Sequence, residues 1–436
     1  MSGEEPELYD ERIWLDGCWD FFHHGHAGAM LQARQLGSEL YVGVHSDEDI
    51  LSNKGPTVMN LDERLAAVDA CRWVTQSVPD APYVTELSFI GKYHCRYVVH
   101  GDDITSDSNG EDCYRFVKEA GRFKVVKRTP SISTTDLVGR MLLCTKTHFI
   151  TSLEKALKGQ EGPGTEAERK AEGEAMMARI RQYATDEGGK NPGVDVFFWT
   201  ASDAAKAEDT KEETGTFRQL LEGKGPKPGQ RVVYVDGGFD LFSSGHIEFL
   251  HQVVLAEEEL ARKEAWYDTQ AVDERAGQGS RLWPRIRGGW CARRSSHQPL
   301  EGNQLPHHEH LRARTVRPSV SVTFGAPFTP TKSYLTTLPW GTPDAIYHGP
   351  TAFIPLSYDP YTAPKEMGIF REIAVHRFQD VNAGSIVQRI LKSRDLYEER
   401  QRKKGVKAVG EAAQREREVL EEEQRRKEEK MGLPRS

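Results

Sequence analysis

Short apolar runs alternate with longer helix-like stretches along the first third of the chain. Each apolar run ends at turn residues or charges, whereas the stretches between them carry apolar positions at helical spacing. Such alternation is typical of a mainly parallel sheet with helices on both faces. The strand-like runs are Ile13–Asp16, Leu40–Val44, Tyr97–His100 and Phe123–Lys127, and the helix-like stretches are Ala29–Leu36, Glu63–Val74, Glu111–Ala120 and Asp136–Leu142.

An eleven-residue segment of this pattern recurs in related form, as Asp16–His26 and again as Asp236–His246, with six of the eleven positions identical. Each copy follows an apolar run and opens a helix-like stretch, and a chain of 436 residues has room for two such domains. We therefore predict an α/β protein with two tandem domains, a glycine-rich linker and a charged helical tail without an apolar face. The predicted bounds are 8–152 for the first domain, 153–229 for the linker, 230–393 for the second domain and 394–436 for the tail.

Composition narrows the range of partners. A formal net charge of -8 and a pI near 6.1 give no basic field for nucleic acid, so we expect no nucleic-acid partner. The six cysteines show no metal-ligand spacing, and we expect no protein metal site. No N-terminal leader is apparent, and no apolar run approaches the roughly 20 residues of a membrane span. These features predict a cytoplasmic protein with reduced thiols.

The first copy of the repeat carries two histidines around a glycine, His23-x-Gly25-His26, where a strand passes into a helix. The unpaired N–H groups of a helix N-terminus attract anions, and imidazoles beside them can stabilise charge that develops on phosphate oxygens. Gly25 allows the backbone to approach a ligand closely. This pattern predicts a phosphate site.

Further candidate residues follow in the same domain. Lys54 and Arg64 supply cations for phosphates, and the segment from Arg128 to Thr135 can cap a helix and donate to a phosphate. His100-Gly-Asp-Asp103 follows a strand, so its two carboxylates can accept hydrogen bonds from a base or an amine, or hold a metal-bound nucleotide. Together these elements predict a nucleotide site.

This set of motifs resembles the cytidylyltransferase family, whose signatures are HxGH and RTxGISTT. The tandem copies resemble the branch of that family that acts on phosphoethanolamine, in its fungal form. The resemblance implies two tandem Rossmann-like nucleotidyltransferase domains. It falls on His23, His26 and Arg128 and on the hydroxyl residues 133–135, with one departure, since Ser131 stands where the family has glycine.

The implied reaction is attack by a phosphoethanolamine oxygen on the α-phosphate of CTP, which gives CDP-ethanolamine and pyrophosphate for phosphatidylethanolamine biosynthesis. No activated side-chain nucleophile is needed, because the attacking phosphate is already anionic. Mg²⁺ is expected with CTP to neutralise the triphosphate. The candidate catalytic residues are His23, His26, Lys54 and Arg128. The candidate CTP-binding residues are Asp16, Gly17, Cys18, Asp20, Gly25, Arg64, His100, Asp102, Asp103, Thr129, Ser133, Thr134 and Thr135.

The second copy lacks several of these groups. Ser243 replaces the first histidine, His348-Gly-Pro lacks both carboxylates, and the segment 381–389 lacks the Ser/Thr run. We therefore predict a degenerate second domain.

Residues 281–322 follow neither helical nor strand periodicity. Read one base later, with synonymous codons chosen freely, the stretch from Arg281 to Arg317 echoes residues 40–64 of the first domain. We therefore hypothesise that 281–322 comes from a shifted reading frame, that it is disordered, and that the second domain lacks a central strand and helix. The nucleotide sequence across this window tests the hypothesis.

Two alternatives stay open from the sequence. The acceptor could be phosphocholine or glycerol 3-phosphate, or both domains could be inactive and serve as a nucleotide-binding regulator. The oligomeric state is also open, with a homodimer as one hypothesis.

Overall fold

The computed structural model describes residues 7–103, 105–129, 132–142, 152–202, 214–225, 230–237, 239, 241–264, 283–292, 320–349 and 358–397. For residues 136, 140, 230 and 283–292 only the backbone is described. Residues 398–436, which hold most of the predicted tail, lie outside the described residues. In the part of the chain that is described, no helix has the length and apolarity needed to cross a membrane.

A five-stranded sheet forms the first domain, with the strand order β3-β2-β1-β4-β5 and parallel pairing throughout. This doubly wound order confirms the predicted α/β fold. The chain adds strands toward one edge of the sheet from β1 to β3 and toward the other edge from β4 to β5. Sheets of this kind bind their ligands where the strand order reverses, between β1 and β4, at the carboxyl ends of the strands. The strands are β1 Tyr9–Gly17, β2 Glu39–Val44, β3 Gln76–Val78, β4 Cys95–Gly101 and β5 Phe123–Val126.

Six helices accompany this sheet. The first copy of the repeat leads into α1, as predicted. The sequence pattern did not predict α2 and β3, because α2 is mostly polar and β3 has only three residues. Asn60 and Glu63 form a capping box that begins α3. The helices are α1 His24–Gln35, α2 Asp47–Lys54, α3 Leu61–Asp69, α4 Leu87–Gly91, α5 Arg115–Glu119 and α6 Thr134–Leu142.

The described residues of the predicted linker form helices and strands that pack with both domains. Helices α7 Leu153–Leu157 and α8 Glu166–Tyr183 come first, and α8 packs Met176, Ile180 and Tyr183 into the core. Strands β6 Asp195–Ala201 and β7 Gly215–Leu221 then join the second sheet. Two strands of the second sheet therefore precede residue 230, the predicted start of the second domain.

The second sheet repeats the first. Its order is β12-β11-β8-β9-β10-β6-β7, in which β8 to β12 occupy the same relative positions as β1 to β5. Strand β6 extends this sheet in parallel to β10, and β7 closes the edge in antiparallel orientation. The elements are β8 Gln230–Gly237, α9 Ser244–Lys263, β9 Trp283–Ala292, β10 Ser321–Phe324, α10 Lys332–Thr336, β11 Ala345–His348, α11 Thr362–Glu366, β12 Phe370–Glu372 and α12 Ala383–Lys392.

Strand β9 corrects the expectation that the second domain lacks a central strand. It pairs in parallel with β8 on one side and β10 on the other, at the position that β2 holds in the first sheet. Ladder hydrogen bonds come from the backbone, so a segment without strand periodicity can still fill the gap between two strands. Residues 293–319 lie outside the described residues, and the shifted-frame hypothesis remains a prediction.

The two domains pack directly against each other. Helix α3 contacts α9, and α6 contacts its repeat counterpart α12. One hydrophobic cluster draws on both domains, with Val58, Met59 and Leu137 from the first and Ile386 and Ile390 from the second. The second domain therefore lies against the face of the first that carries the segment between α2 and α3.

Candidate active site

A cavity of about 720 Å³ opens at the carboxyl ends of β1 and β4. Its walls come from the β1–α1 loop, the end of α2, the end of β4 and the segment that leads into α6. This position is the one that the strand order predicts for a ligand.

All four predicted catalytic residues line this cavity: His23, His26, Lys54 and Arg128. Most of the predicted CTP-binding residues do so too, and the exceptions are Arg64 and Asp102. The lining members of that group are Asp16, Gly17, Cys18, Asp20, Gly25, His100, Asp103, Thr129, Ser133, Thr134 and Thr135.

His23 is the N-cap of α1 and has a defined tautomer. Its Nδ1 accepts the backbone N–H groups of Gly25 at 3.1 Å and His26 at 3.4 Å. A nitrogen that accepts hydrogen bonds cannot carry the proton of a neutral imidazole, so the proton of His23 lies on Nε2. His23 thus presents an N–H donor while it caps the helix.

His26 stacks on His23, with ring centroids 3.8 Å apart and an angle of 17° between the ring planes. Burial, with smaller contributions from the nearby His24, Arg128 and Lys54, lowers the pKa of His26 to about 3. His26 is therefore neutral at pH 7 in the free protein. Negative charge placed beside it would favour its protonated form.

Titration of His26 predicts acid sensitivity. Its pKa is about 3 in the folded protein against 6.5 in the unfolded chain, so the unfolded chain holds the extra proton between these values. The contribution of His26 therefore leaves the free energy of unfolding undiminished above pH 6.5. As the pH falls from 6.5 toward 3, the free energy of unfolding decreases by about 1.4 kcal/mol per pH unit for one proton.

We expect the substitution His26→Gln to remove this pH dependence of the unfolding free energy. Between pH 7 and pH 5 the wild type should lose about 2 kcal/mol more of its unfolding free energy than the variant, as measured by urea denaturation at both pH values. Parallel decreases in the two proteins would contradict the assignment.

The carboxylates of two predicted CTP-binding residues already accept hydrogen bonds from other groups of the protein. Asp16 is buried and accepts from Trp14 Nε1 at 2.8 Å, Thr85 Oγ1 at 2.7 Å and Tyr114 Oη at 2.6 Å. Asp20 is buried as well and accepts from the backbone N–H groups of residues 58 and 59. Both carboxylates therefore shape the cavity wall, and direct contact with CTP through them is not supported.

Arg64 does not reach the cavity. Its side chain is buried behind the wall, where Nη1 donates to Cys18 O at 2.7 Å and Nη2 pairs with Asp47 at 2.7 Å. The sequence offered Arg64 as a phosphate cation, and its placement corrects this assignment. It supports the loop that carries Cys18.

The remaining cations lie at the cavity. Lys54 is the last residue of α2, and its ammonium lies 5.6 Å from the ring centre of Tyr83. Arg128 follows β5, and its guanidinium lies 3.5 Å from an Asp103 oxygen. Asp102 turns away from the cavity, where Oδ1 accepts from the Arg128 backbone N–H at 3.2 Å. One carboxylate of the pair thus faces the site and the other fixes its loop.

Two further predicted groups complete the walls. Burial lowers the pKa of His100, so that its ring is neutral beside Asp103 at 4.0 Å. Thr134 donates from Oγ1 to Asp20 O at 2.8 Å, which ties the start of α6 to the β1–α1 loop. Ser131, the departure from the family pattern, lies outside the described residues.

Trp19 also lines the cavity, although it was not among the residues predicted from the sequence. Its indole contacts the His26 ring edge-on at 5.3 Å and donates to Gly43 O at 2.7 Å. Trp19 and Phe21 have positive φ angles of 55° and 53°, and their repeat counterparts Phe239 and Leu241 have 43° and 46°. Both copies of the repeat keep large side chains at positions with a strained backbone. Such strain concentrates at functional loops, so this shared feature could have marked Trp19 as a site residue.

Among the described residues, backbone carbonyl oxygens lie at the equivalent position in the second domain. Ser243 caps α9, where its backbone N–H donates to His246 Nδ1 at 3.2 Å and its hydroxyl donates to Val381 O at 3.0 Å. A Cβ at Gly245 would overlap the carbonyl oxygens of Val381 and Phe378. Carbonyl oxygens repel anions, so this helix N-terminus is not open to a phosphate.

Comparisons with known proteins agree with this geometry. The cytidylyltransferase-like family matches residues 14–140. Ethanolamine-phosphate cytidylyltransferase of Mus musculus is 36% identical over 409 residues, which cover 91% of this chain and 90% of that protein. The protein of the same name in Dictyostelium discoideum is 35% identical over 402 residues, covering 91% and 95%.

Choline-phosphate cytidylyltransferase A of Rattus norvegicus matches a shorter part, with 41% identity over 133 residues that cover 30% of this chain and 36% of that protein. The Mus musculus and Dictyostelium discoideum relatives, which match nine-tenths of the chain, thus share one name. The chain belongs to the ethanolamine-phosphate cytidylyltransferase family.

Proposed function

We propose that the first domain transfers the cytidylyl group of CTP to phosphoethanolamine and releases pyrophosphate. The observation that carries this proposal is that His23, His26, Lys54 and Arg128 line one cavity at a helix N-terminus. The named relatives that span nine-tenths of the chain support the choice of acceptor.

The arrangement suits a reaction that needs positioning and charge stabilisation. A phosphoethanolamine oxygen attacks the α-phosphorus of CTP while the bond to the pyrophosphate oxygen breaks, so no proton has to leave the nucleophile. Lys54 and Arg128 would bind phosphate oxygens, and His23 Nε2–H would donate to them. His26 starts neutral and gains proton affinity as negative charge develops beside it.

Mg²⁺ belongs to the proposal as a companion of CTP. Among the described residues, no group of three histidine, cysteine, aspartate or glutamate side chains is arranged to hold a metal. Asp16 and Asp20 already accept protein donors, which leaves Asp103 as the carboxylate at the cavity. These residues fit a Mg²⁺ ion held mainly by the triphosphate, where it would neutralise phosphate charge.

The types of side chain that line the cavity favour phosphoethanolamine over phosphocholine as the acceptor. Quaternary ammonium groups favour cages of several aromatic rings. Among the described residues that line the cavity, Trp19 is the one tryptophan, tyrosine or phenylalanine. A primary ammonium instead requires hydrogen-bond acceptors such as a carboxylate.

Pyrophosphate release with CTP and each of three acceptors tests the function. We expect kcat/KM with phosphoethanolamine to exceed that with phosphocholine or glycerol 3-phosphate by at least about 100-fold, because ~3 kcal/mol is a common cost of an unmatched polar group. Preference for another acceptor would reassign the substrate. No turnover with any acceptor, together with intact CTP binding, would instead support the inactive regulator.

A cytoplasmic location is part of the proposal. Cys71, Cys95 and Cys113 are buried free thiols, and burial raises the pKa of Cys71 and Cys95 to about 12. Unpaired thiols of this kind suit a reducing compartment.

A further inference from the structure

The segment Gly55–Asn60, here called the bridging loop, joins two parts of the molecule. It follows Lys54 at the cavity and leads into the capping box of α3. From within its own domain, the Asp20 carboxylate holds the loop through the backbone N–H groups of Val58 and Met59, at 3.0 and 2.9 Å.

The second domain holds the same loop from the opposite side. Arg389 of α12 donates two hydrogen bonds to the carboxylate of Glu63, at 2.7 and 2.8 Å, and a longer one to Val58 O at 3.4 Å. Glu63 is only 3% exposed and also accepts from the Asn60 backbone N–H at 3.0 Å. This carboxylate therefore links the end of the bridging loop to the second domain through a bidentate ion pair, in which Glu63 is buried and Arg389 is partly exposed.

A second contact lies closer to Lys54 and comes from residues 393–397, which continue directly from α12 and are treated as part of the second domain although the predicted tail begins at 394. Tyr397 is buried, and its hydroxyl donates to Thr57 O at 3.0 Å. The neighbouring Leu396 lines the cavity itself. Residues of the second domain thus reach the wall of the site in the first domain.

We propose that the second domain positions Lys54 by clamping the bridging loop through Arg389 and Tyr397. The degenerate copy then contributes to nucleotide binding without a ligand site of its own. Lys54 is the catalytic residue in this arrangement, whereas Arg389 and Tyr397 are positioning residues. The proposal rests on the proposed function only in so far as the cavity binds CTP.

The physical reason is geometric. Three residues separate Lys54 from Val58, so a loop released from its clamps can move the ammonium by more than the reach of a hydrogen bond. Phosphate recognition requires the charge within about 3 Å of the oxygen, and small displacements reduce binding and rate sharply. Two anchors from the second domain and one from the first fix the loop from both sides.

Tyr397→Phe in the full chain provides the most conservative test, because it removes one hydroxyl and keeps the ring in the core. We expect the Kd for CTP with Mg²⁺, measured by calorimetry, to rise about 3- to 10-fold. Tyr358→Phe is the matched control: this tyrosine is exposed in the same domain, and its hydroxyl contacts Thr329 Oγ1 at 3.1 Å. It should leave the Kd unchanged.

Arg389→Gln should raise the Kd for CTP more strongly, by about 10-fold or more. The Kd of Arg389→Lys should lie between those of Arg389→Gln and the wild type. Lys392→Gln, at an exposed position of the same helix, is the control for loss of a positive charge. If Arg389→Gln does not fold, Tyr397→Phe still tests the proposal.

A double-mutant cycle separates positioning from general destabilisation. If Tyr397 acts through Lys54, then Tyr397→Phe should change the Kd for CTP by less than about 1.5-fold when Lys54 is already glutamine. Equal changes in both backgrounds, or an unchanged Kd in Tyr397→Phe, would overturn the proposal. CTP binding does not depend on the acceptor, so a wrong acceptor assignment would leave this test intact.

Discussion

Replacement of His26 by alanine is expected to lower the rate of pyrophosphate release from CTP and phosphoethanolamine by about 100- to 1,000-fold. A donor aimed at a developing oxyanion in a water-poor site commonly contributes this much. His26 lines the cavity and stacks on the helix-capping His23, while burial keeps its pKa near 3 until negative charge arrives. Initial-rate measurements at saturating CTP provide the value.

His246→Ala is the internal control that the repeat supplies. Burial lowers the pKa of His246 to about 4, and its Nδ1 accepts from the Ser243 backbone N–H. Loss of this contact should cost about 1 kcal/mol of stability and change the rate by less than about two-fold. Equal loss of activity in the two variants would show that both domains catalyse, contrary to the prediction of a degenerate second domain.

Arg128→Ala is expected to lower kcat/KM for CTP by about 10- to 100-fold, the equivalent of about 1.5–3 kcal/mol for a charge-assisted hydrogen bond. Arg128 lies at the cavity mouth and pairs loosely with Asp103, so a phosphate can replace that partner. Arg128→Lys should recover part of the loss, because lysine keeps the charge but not the planar fork.

Arg96→Ala is the matched control, since the Arg96 side chain is 48% exposed against 47% for Arg128 and pairs with Asp10 away from the cavity. It should leave kcat/KM within about two-fold of the wild type, as expected for an exposed ion pair. A similar decrease in both variants would mean that the protein responds to net charge and not to a phosphate contact at Arg128.

The aspartates and cations show where sequence reasoning reached its limit. Asp16, Asp20, Asp102 and Asp103 were all candidate ligands from the sequence. Of these four, Asp103 lines the cavity with a loose ion pair, to Arg128 at 3.5 Å, and without a short hydrogen bond to a donor among the described residues. Which carboxylate meets a backbone N–H and which meets the ligand depends on segments that are distant in the chain. Asp16 illustrates this, because its partner Tyr114 is 98 positions away.

Lys54 and Arg64 give the same lesson. The sequence offered both as cations for phosphates, but Lys54 ends α2 at the cavity, whereas Arg64 is buried in the first turn of α3. The sequence did not predict α2, because it is short and mostly polar and its stability depends on contacts with its neighbours. The orientation of Arg64 could not be derived without that helix.

The sequence by itself determined the parallel α/β pattern, the tandem repeat and the pair of histidines at the start of α1, because strand, loop and helix cap are encoded by consecutive residues with local hydrogen bonds. It also showed the asymmetry between His23 and Ser243. Only the tertiary structure decided which charges face the cavity, that β6 and β7 extend the second sheet, and that Arg389 meets Glu63 across 326 positions. These features arise from long-range packing, which places side chains that no local pattern relates.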